Sequence, residues 1–357
     1  MLYKTENSHG GDIYEVPVRL DFSISVNPLG TPENVIKAIQ EAAVYAADYP
    51  DPYCRKLIRG LSRKHNIPER YILCGNGAAE LIYAFCDALK PGTALLCAPT
   101  FSEYAIALER NNCKISYFFL QEGREKDFLP GEKYLKLLSE LKPDAAFLCN
   151  PNNPDGGLIP EGLLSEILDV CKEKEIKLFL DECFIELSDG SSISRLAQEY
   201  PCLFILNAFT KTYAMSGIRL GYCICSDGEL LKRISRQLQP WNVSLPAQAA
   251  GVAALEDDIY VNKARELISA ERKWLSDQLE QLGFYVCRSQ ANYILFYEEQ
   301  NTCTAQVPLH EKLVRQGILI RNCDNFPGLG KGWYRAGIKQ HDDNLELIET
   351  MKKIGLC

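Results

Sequence analysis

A lysine with suitable neighbours for binding a phosphorylated aldehyde lies in the segment Asn207–Gly221. Lys211 follows the hydroxyl-bearing Thr210, and Arg219 comes eight positions later (219 − 211). A partly desolvated lysine can be neutral and attack an aldehyde to form a Schiff base. A guanidinium and a hydroxyl nearby can bind a phosphate. A lone loop lysine is usually just exposed, so the prediction of a reactive Lys211 depends on what other segments supply.

Two further polar clusters directly follow apolar runs of the sequence. Asp181 ends the run that begins at Leu178, and Asn153 lies in the Asn-Pro-rich segment Asn150–Gly157. Aspartate is a common cap, and asparagine and proline favour turns, so either cluster can have a purely structural role. They indicate a ligand site only in combination with the lysine segment.

The segment Cys74–Glu80 leads into a helix through a glycine-containing turn. Glycine lets the backbone approach a phosphate, and the N–H groups and dipole of a helix N-terminus bind anions. An asparagine that caps the helix N-terminus would explain the same residues equally well. The segment is therefore a weak signal by itself and a useful one beside Arg219.

Composition and charge narrow the classes of function. The 357 residues include 47 acidic and 39 basic side chains, and the net charge of −8 argues against a nucleic-acid partner. Residues 1–12 are polar, so we expect no secretory signal, and the apolar runs are too short to span a membrane. The 15 cysteines show no metal-ligand spacing, so we expect free thiols in a cytoplasmic protein and no bound metal.

The elements that must position these residues alternate along the first two thirds of the chain. Predicted strands are 94–97, 114–119, 145–149, 178–180, 203–206 and 220–225, and predicted helices include 78–89, 103–110 and 162–174. This alternation favours an α/β fold with a mostly parallel sheet covered by helices. Ligands bind beyond the carboxyl ends of such strands, so we expect the polar clusters to converge there.

The pattern changes after about residue 240. A long helical stretch over 247–282, broken near 257, precedes strands at 293–297 and 318–321 and a last helix at 343–354. We predict an N-terminal arm (1–35) that packs with a small C-terminal α+β domain (246–357), and a large ligand-binding domain between them (36–245).

The lysine segment resembles the lysine motif of fold-type I enzymes that depend on pyridoxal 5′-phosphate (PLP), the aspartate aminotransferase superfamily, and the resemblance covers nearly the whole chain. It implies a seven-stranded-type sheet sandwiched by helices, with a smaller α+β domain. It also implies PLP as the cofactor, carried by Lys211. Asp181 matches the aspartate that pairs with the pyridine nitrogen of PLP. Asn153 matches the asparagine that bonds the phenolic oxygen of PLP and lies near the substrate carboxylate.

The resemblance also assigns contacts to the rest of the cofactor. The phosphate would be held by Gly77, Ala78, Ala79, Thr210 and Arg219. Phe101 matches an aromatic residue that stacks on the pyridine ring. Tyr49, in a YPDP segment, matches a tyrosine that reaches the phosphate of the neighbouring subunit. This last match implies a homodimer with shared active sites.

A final set of matches concerns a small anionic amino-acid substrate. It comprises His9, Asn27, Gly30, Asn153, Arg321 and Arg335. A planar guanidinium suits bidentate binding of a carboxylate or phosphate, and the two arginines are left unassigned between these anions. The N-terminal residue of the set, His9, would close over the ligand.

The reaction depends on resemblance to groups within the superfamily. The patterns are similar to those of threonine-phosphate decarboxylases of cobalamin biosynthesis and of histidinol-phosphate aminotransferases. Phe184 stands where the aminotransferases usually have tyrosine, which favours decarboxylation of O-phospho-L-threonine. The alternatives are an aminotransferase acting on histidinol phosphate or a related amino acid, and a non-catalytic PLP-binding regulator.

Overall fold

The computed structural model describes residues 9–14, 17–120, 128–299 and 307–354. Parts of the predicted arm (1–8 and 15–16) and of the predicted small domain (300–306 and 355–357) therefore lie outside the described residues. Within the described part of the chain, no helix combines the length and the apolar content needed to cross a membrane.

The strands are β1 (Leu20–Asp21), β2 (Ile72–Gly75), β3 (Thr93–Ala98), β4 (Lys114–Phe119), β5 (Ala145–Cys149), β6 (Lys177–Asp181), β7 (Leu203–Ala208), β8 (Gly221–Ile224), β9 (Tyr285–Val286), β10 (Tyr293–Tyr297), β11 (Ile318–Leu319), β12 (Arg321–Asn322) and β13 (Trp333–Gly337). The α-helices are α1 (Glu33–Ala43), α2 (Arg55–His65), α3 (Ala78–Leu89), α4 (Glu103–Glu109), α5 (Glu132–Leu141), α6 (Glu161–Glu173), α7 (Phe209–Thr212), α8 (Gly228–Ser235), α9 (Leu245–Ala254), α10 (Asp258–Gln281), α11 (Leu309–Val314) and α12 (His341–Lys353).

A seven-stranded sheet with the order β2-β8-β7-β6-β5-β3-β4 forms the centre of the large unit. Strands β4, β3, β5, β6 and β7 pair in parallel, and β8 is antiparallel to both of its neighbours. The predicted α/β class and mostly parallel sheet are thus confirmed. Helices α3, α4 and α8 cover one face, and α1, α2, α5, α6 and α9 cover the other.

Three phenylalanines fix the register of the central strands. Phe147, Phe179 and Phe204 are direct neighbours on β5, β6 and β7. Their rings stack at 4.8 and 5.1 Å between centroids, and Phe85 of α3 packs on all three. A slip by one residue would move this whole set to the opposite face, so the stack also aligns the carboxyl ends of the strands.

The second unit is an antiparallel sheet, β12-β13-β10-β9, whose core includes residues of α10, α11 and α12. The predicted strand 318–321 is divided into β11 and β12, because β11 pairs with β1 whereas β12 pairs with β13. Through β1, residues 20–21 of the N-terminal segment join this C-terminal unit.

Helix α9 follows the predicted boundary between the large and the small domain at residue 245. Its buried residues Ala247, Ala250 and Ala254 lie in the core of the large sheet, with α1 and α2. A Cβ atom at Gly251 would lie 2.5 Å from a methyl group of Leu220, so glycine allows this close approach. Helix α9 therefore packs with the large sheet, on the C-terminal side of the predicted boundary.

Candidate active site

A cleft that is partly open to solvent lies at the carboxyl ends of the parallel strands, beside the second sheet. Eleven of the predicted site residues line it: His9, Ala78, Ala79, Phe101, Asn153, Asp181, Thr210, Lys211, Arg219, Arg321 and Arg335. The polar clusters thus converge as expected from a parallel sheet.

Lys211 enters the cleft from α7, a single helical turn that begins directly after β7. Its Nζ lies 5.6 Å from the centre of the Phe184 ring. Burial lowers the pKa of Lys211 to about 8, and the positive charges of Arg335 and Arg219 act in the same direction. About a tenth of such a lysine is neutral at pH 7, which makes it a usable nucleophile.

Asp181, the last residue of β6, presents a buried carboxylate to the same cleft. The backbone N–H of Cys183 donates to its Oδ1 at 2.8 Å, and the Tyr104 hydroxyl donates to its Oδ2 at 2.6 Å. Burial raises the pKa of Asp181, while these hydrogen bonds and the charge of Lys211 oppose the rise. The carboxylate is therefore oriented, desolvated and suited to pairing with a cationic group of a ligand.

The N-terminus of α3 forms a corner of the cleft. Gly77 has φ +81° and precedes the helix, whose first residues Ala78 and Ala79 line the cleft. A Cβ atom at Gly77 would lie 2.8 Å from Nη2 of Arg219, so glycine permits the guanidinium to lie against this turn. Free helix N–H groups beside a guanidinium suit a phosphate.

Two further guanidinium groups face the cleft from the second unit. Arg335 on β13 is buried, its Nη2 donates to the Ser23 carbonyl at 2.9 Å, and its Nη1 donates to Asn153 Oδ1. Its Nε is a buried donor with no hydrogen-bond partner among the described residues. Arg321 on β12 lies 5.3 Å from the centre of the Phe326 ring. The cleft therefore offers three separate guanidinium groups, counting Arg219.

His9 brings the N-terminal segment to the cleft. Its Nε2 lies 2.7 Å from Oε1 of Glu103, and its ring centre is 5.5 Å from that of Phe101. The Tyr83 hydroxyl donates to the other oxygen of Glu103 at 2.7 Å. His9 therefore contacts the large unit at the edge of the cleft and covers the aromatic ring beside it.

Four predicted site residues do not line the cleft. Gly77 contributes through its turn, as described above. Tyr49 is 76% exposed and stacks on Trp241 at 4.5 Å, away from the cleft of its own chain. Asn27 is buried, and the Gly30 carbonyl accepts a hydrogen bond from a tyrosine hydroxyl of α10. The side chain of Asn27 is thus buried inside the protein and does not line the cleft.

The hydrogen bond from Tyr104 to Asp181 is the main feature that sequence reasoning missed. The ring of Tyr104 meets that of Phe101 edge-on at 80°, and its hydroxyl reaches the carboxylate. Tyr104 lies on α4 whereas Phe101 precedes the helix, so helical spacing gave no signal for this contact.

Comparison with known proteins gives a consistent result. The model of the aminotransferase class I and II family matches residues 18–350. The threonine-phosphate decarboxylase of Salmonella typhimurium is 34% identical over 360 residues, covering 98% of this chain and 96% of that protein. The histidinol-phosphate aminotransferase of Methanosarcina mazei is 33% identical over 329 residues, covering 91% and 85%. The solved histidinol-phosphate aminotransferase from Clostridium acetobutylicum aligns with a TM-score of 0.85 at 30% identity, covering 94% of this chain and 98% of that one.

We expect Tyr104→Phe to lower the free energy of unfolding by about 2 kcal/mol, because it removes a donor from a buried carboxylate. Tyr134→Phe is the matched control, since Tyr134 is equally buried but its hydroxyl has no hydrogen-bond partner among the described residues. Urea unfolding followed by circular dichroism measures both. Equal losses in the two variants would contradict the role assigned to the Tyr104 hydroxyl.

Proposed function

The chain belongs to the class I and II aminotransferase family, and on this premise we propose that it decarboxylates O-phospho-L-threonine to 1-aminopropan-2-ol phosphate, a step of cobalamin biosynthesis. The family depends on PLP, and the chain is accordingly a PLP-dependent enzyme. The observation that carries the choice of substrate is the pair of guanidinium groups, Arg321 and Arg335, in the same cleft as Lys211.

The donor set of the cleft fits PLP at both charged ends of the cofactor. The α3 N-terminus with Thr210 and Arg219 would hold the phosphate, and the buried carboxylate of Asp181 would hold the proton on the pyridine nitrogen. Phe101 would cover the ring, and Asn153 would bond the phenolic oxygen. When bound, PLP supplies an electron sink for the electron pair left at the substrate Cα.

The chain's own residues prepare this chemistry. The Tyr104 hydroxyl and the Cys183 N–H keep the Asp181 carboxylate pointing into the cleft, so that it stabilises a positive charge there. Desolvation keeps part of Lys211 neutral, so its amine can carry the cofactor and afterwards accept or donate a proton near Cα. The buried position of these groups limits the access of water.

The substrate has two anions, a carboxylate and a phosphate, and the second unit presents two guanidinium groups. Arg335 is held by the Ser23 carbonyl and by Asn153, whereas Arg321 lies against Phe326. Histidinol phosphate carries only the phosphate, whereas O-phospho-L-threonine presents both anions in one molecule. His9, at the edge of the cleft, would complete the binding of the anionic substrate.

Phe184 favours decarboxylation over transamination. Aminotransferases of the family usually have tyrosine at this position, and Phe184 lacks that hydroxyl. The centre of the Phe184 ring lies 5.6 Å from Nζ of Lys211. An apolar ring beside Lys211 favours the loss of a carboxylate charge as neutral carbon dioxide, since a buried charge is costly. The 34% identity to a threonine-phosphate decarboxylase over 98% of the chain also supports this reaction.

We also propose a homodimer in the cytoplasm. Exposed apolar side chains cluster in one part of the sequence, where Val44, Tyr45, Tyr49 and Tyr53 are all more than half exposed. A partner subunit would cover them and would receive the Tyr49 hydroxyl at its PLP phosphate. The 13 cysteines within the described residues are free thiols, as a reducing compartment maintains them.

The first test is a paired assay of the PLP-loaded protein. O-phospho-L-threonine should release carbon dioxide and 1-aminopropan-2-ol phosphate, and Lys211→Ala should abolish this reaction. Histidinol phosphate with 2-oxoglutarate is supplied in parallel, with glutamate as the readout. Glutamate formation without carbon dioxide release would instead establish the aminotransferase, and activity in neither arm would leave the PLP-binding regulator.

Substitution of the two arginines should assign the two anions. Arg335→Gln and Arg321→Gln should each lower kcat/KM for O-phospho-L-threonine by about 100-fold, because each removes a charge-assisted hydrogen bond to an anion. Inhibition by 1-aminopropan-2-ol phosphate, which lacks the carboxylate, should weaken strongly only in the variant that lost the phosphate contact. Arg195→Gln, a change in an exposed ion pair, is the control and should behave as wild type. Unchanged kcat/KM in both arginine variants would refute the two-anion argument.

Tyr49 should matter for PLP through the partner subunit. We expect Tyr49→Phe to weaken PLP affinity by about tenfold through loss of one hydrogen bond to the phosphate, with the dimeric mass unchanged. Tyr53→Phe alters a neighbouring exposed tyrosine and is the control. Fluorescence titration gives the PLP affinity, and light scattering after size exclusion gives the mass. A monomeric wild type that binds PLP tightly would exclude the shared site.

A further inference from the structure

The side chain of Asn27 bonds both the backbone of the lysine-bearing segment and that of its own loop. It is 2% exposed, and its Nδ2 donates to the Thr212 carbonyl at 2.8 Å. Its Oδ1 accepts from the Leu29 N–H at 3.0 Å, so both ends of the amide are bonded within the protein. Asn27 matches a substrate-binding residue by sequence, but its side chain bonds the turn that carries Lys211.

Two other hydrogen bonds join the same two segments. The Asn27 N–H donates to the Lys211 carbonyl at 3.0 Å, and the Thr31 hydroxyl donates to the Ala214 carbonyl at 2.9 Å. Helix α7 has only four residues, and a helix leaves its last four carbonyls without partners inside the helix. Asn27 and Thr31 thus supply donors to three carbonyls between residues 211 and 214. The carbonyl of the buried Thr212 would be costly to leave unpaired.

The same stretch of chain is bonded to the strand that carries Arg335. The Phe22 carbonyl accepts from the N–H of Gly337 at 2.8 Å, and the Ser23 carbonyl accepts from Nη2 of Arg335 at 2.9 Å. The Ser25 carbonyl then accepts from a side-chain amide in the loop before β10 at 3.0 Å. Residues 22–31, the tether, therefore bond Arg335 at one end and the Lys211 turn at the other.

We propose that the tether sets the position of Lys211 relative to Arg335, and that Asn27 is the positioning residue through which it acts on the lysine. The inference rests on the proposed assignment of Lys211 as the PLP-bearing lysine. Without the Asn27 amide, the Thr212 carbonyl must find water as its donor, and a loosened α7 admits that water beside Lys211. A more hydrated amine holds its proton more strongly.

The groups that face the Lys211 amine determine what the test must control. Arg335 on β13 and Arg219 before β8 disfavour its proton, whereas Cys183 and Asp181 favour it, and burial has the largest effect. Substitution of Asn27 alters none of these charges directly. A change in the titration of Lys211 in such a variant therefore reports hydration or displacement of the lysine.

The experiment measures how fast the apoenzyme captures PLP between pH 6 and pH 10, followed by the visible absorbance band. Wild type should show a midpoint near pH 8, the pH at which half of Lys211 is neutral. In Asn27→Ala and Asn27→Leu the midpoint should rise by about one pH unit, which slows capture at pH 7 by about tenfold. The leucine variant keeps the size of the side chain and adds no charge, but it has no donor for the Thr212 carbonyl and no acceptor for the Leu29 N–H, so it reports the loss of these bonds.

A matched control exists in the same N-terminal region. Asn34 also donates through Nδ2 to a carbonyl, that of Ala253, at 2.8 Å and accepts a backbone N–H, but it is exposed and contacts α9. Asn34→Ala should keep the wild-type midpoint. Thr31→Val, which loses only the bond to the Ala214 carbonyl, should raise the midpoint by a smaller amount and serves if Asn27→Ala does not fold.

The outcomes separate this inference from the assignment of the lysine. If the wild type captures no PLP, or if Lys211→Ala captures it equally well, the assignment of Lys211 itself fails. If capture depends on Lys211 but Asn27→Leu and Thr31→Val keep the wild-type midpoint, only the positioning role is overturned. A midpoint that rises in the Asn27 variants and stays unchanged in Asn34→Ala supports it.

Discussion

The register of β5, β6 and β7 is the constraint on which the rest of the molecule depends. The stacked rings of Phe147, Phe179 and Phe204 keep the three strands in register, and the strands end together at one edge of the sheet. Asp181 ends one strand and Lys211 follows another, so both reach the cleft without any long excursion of the chain. A fixed register turns residues that are 30 positions apart in sequence (211 − 181) into groups of one site.

The second constraint is the concentration of positive charge in an acidic protein. The chain has a net charge of −8, yet Lys211, Arg219, Arg321 and Arg335 all face one cleft. Their mutual repulsion helps to keep the lysine neutral, and it makes the cleft a favourable place for a phosphate and a second anionic ligand. The free energy of this arrangement is therefore lowest when anions occupy the site, so that folding and ligand binding support each other.

The sequence predicted much of this site because its residues follow strands directly. The positions of Lys211, Asp181 and Asn153 could be derived from strand ends and turn-forming residues, and the parallel sheet brings such ends together. The environment of Asn27 could not be derived in this way, because it depends on contact with carbonyls almost 200 positions later. The place of Tyr49 also escapes the sequence of one chain, since its expected contact lies in a second subunit.

The two constraints meet in how the substrate is held. With PLP and substrate bound, the outcome would depend on where the substrate carboxylate is anchored relative to the lysine. Arg335 lies in the second unit and Lys211 in the large unit. Packing within either unit therefore does not set the distance between the two side chains. Residues 22–31 are bonded to both, through Ser23 at one end and Asn27 at the other. This connection is therefore where the chain itself links the position of the amine to that of the guanidinium.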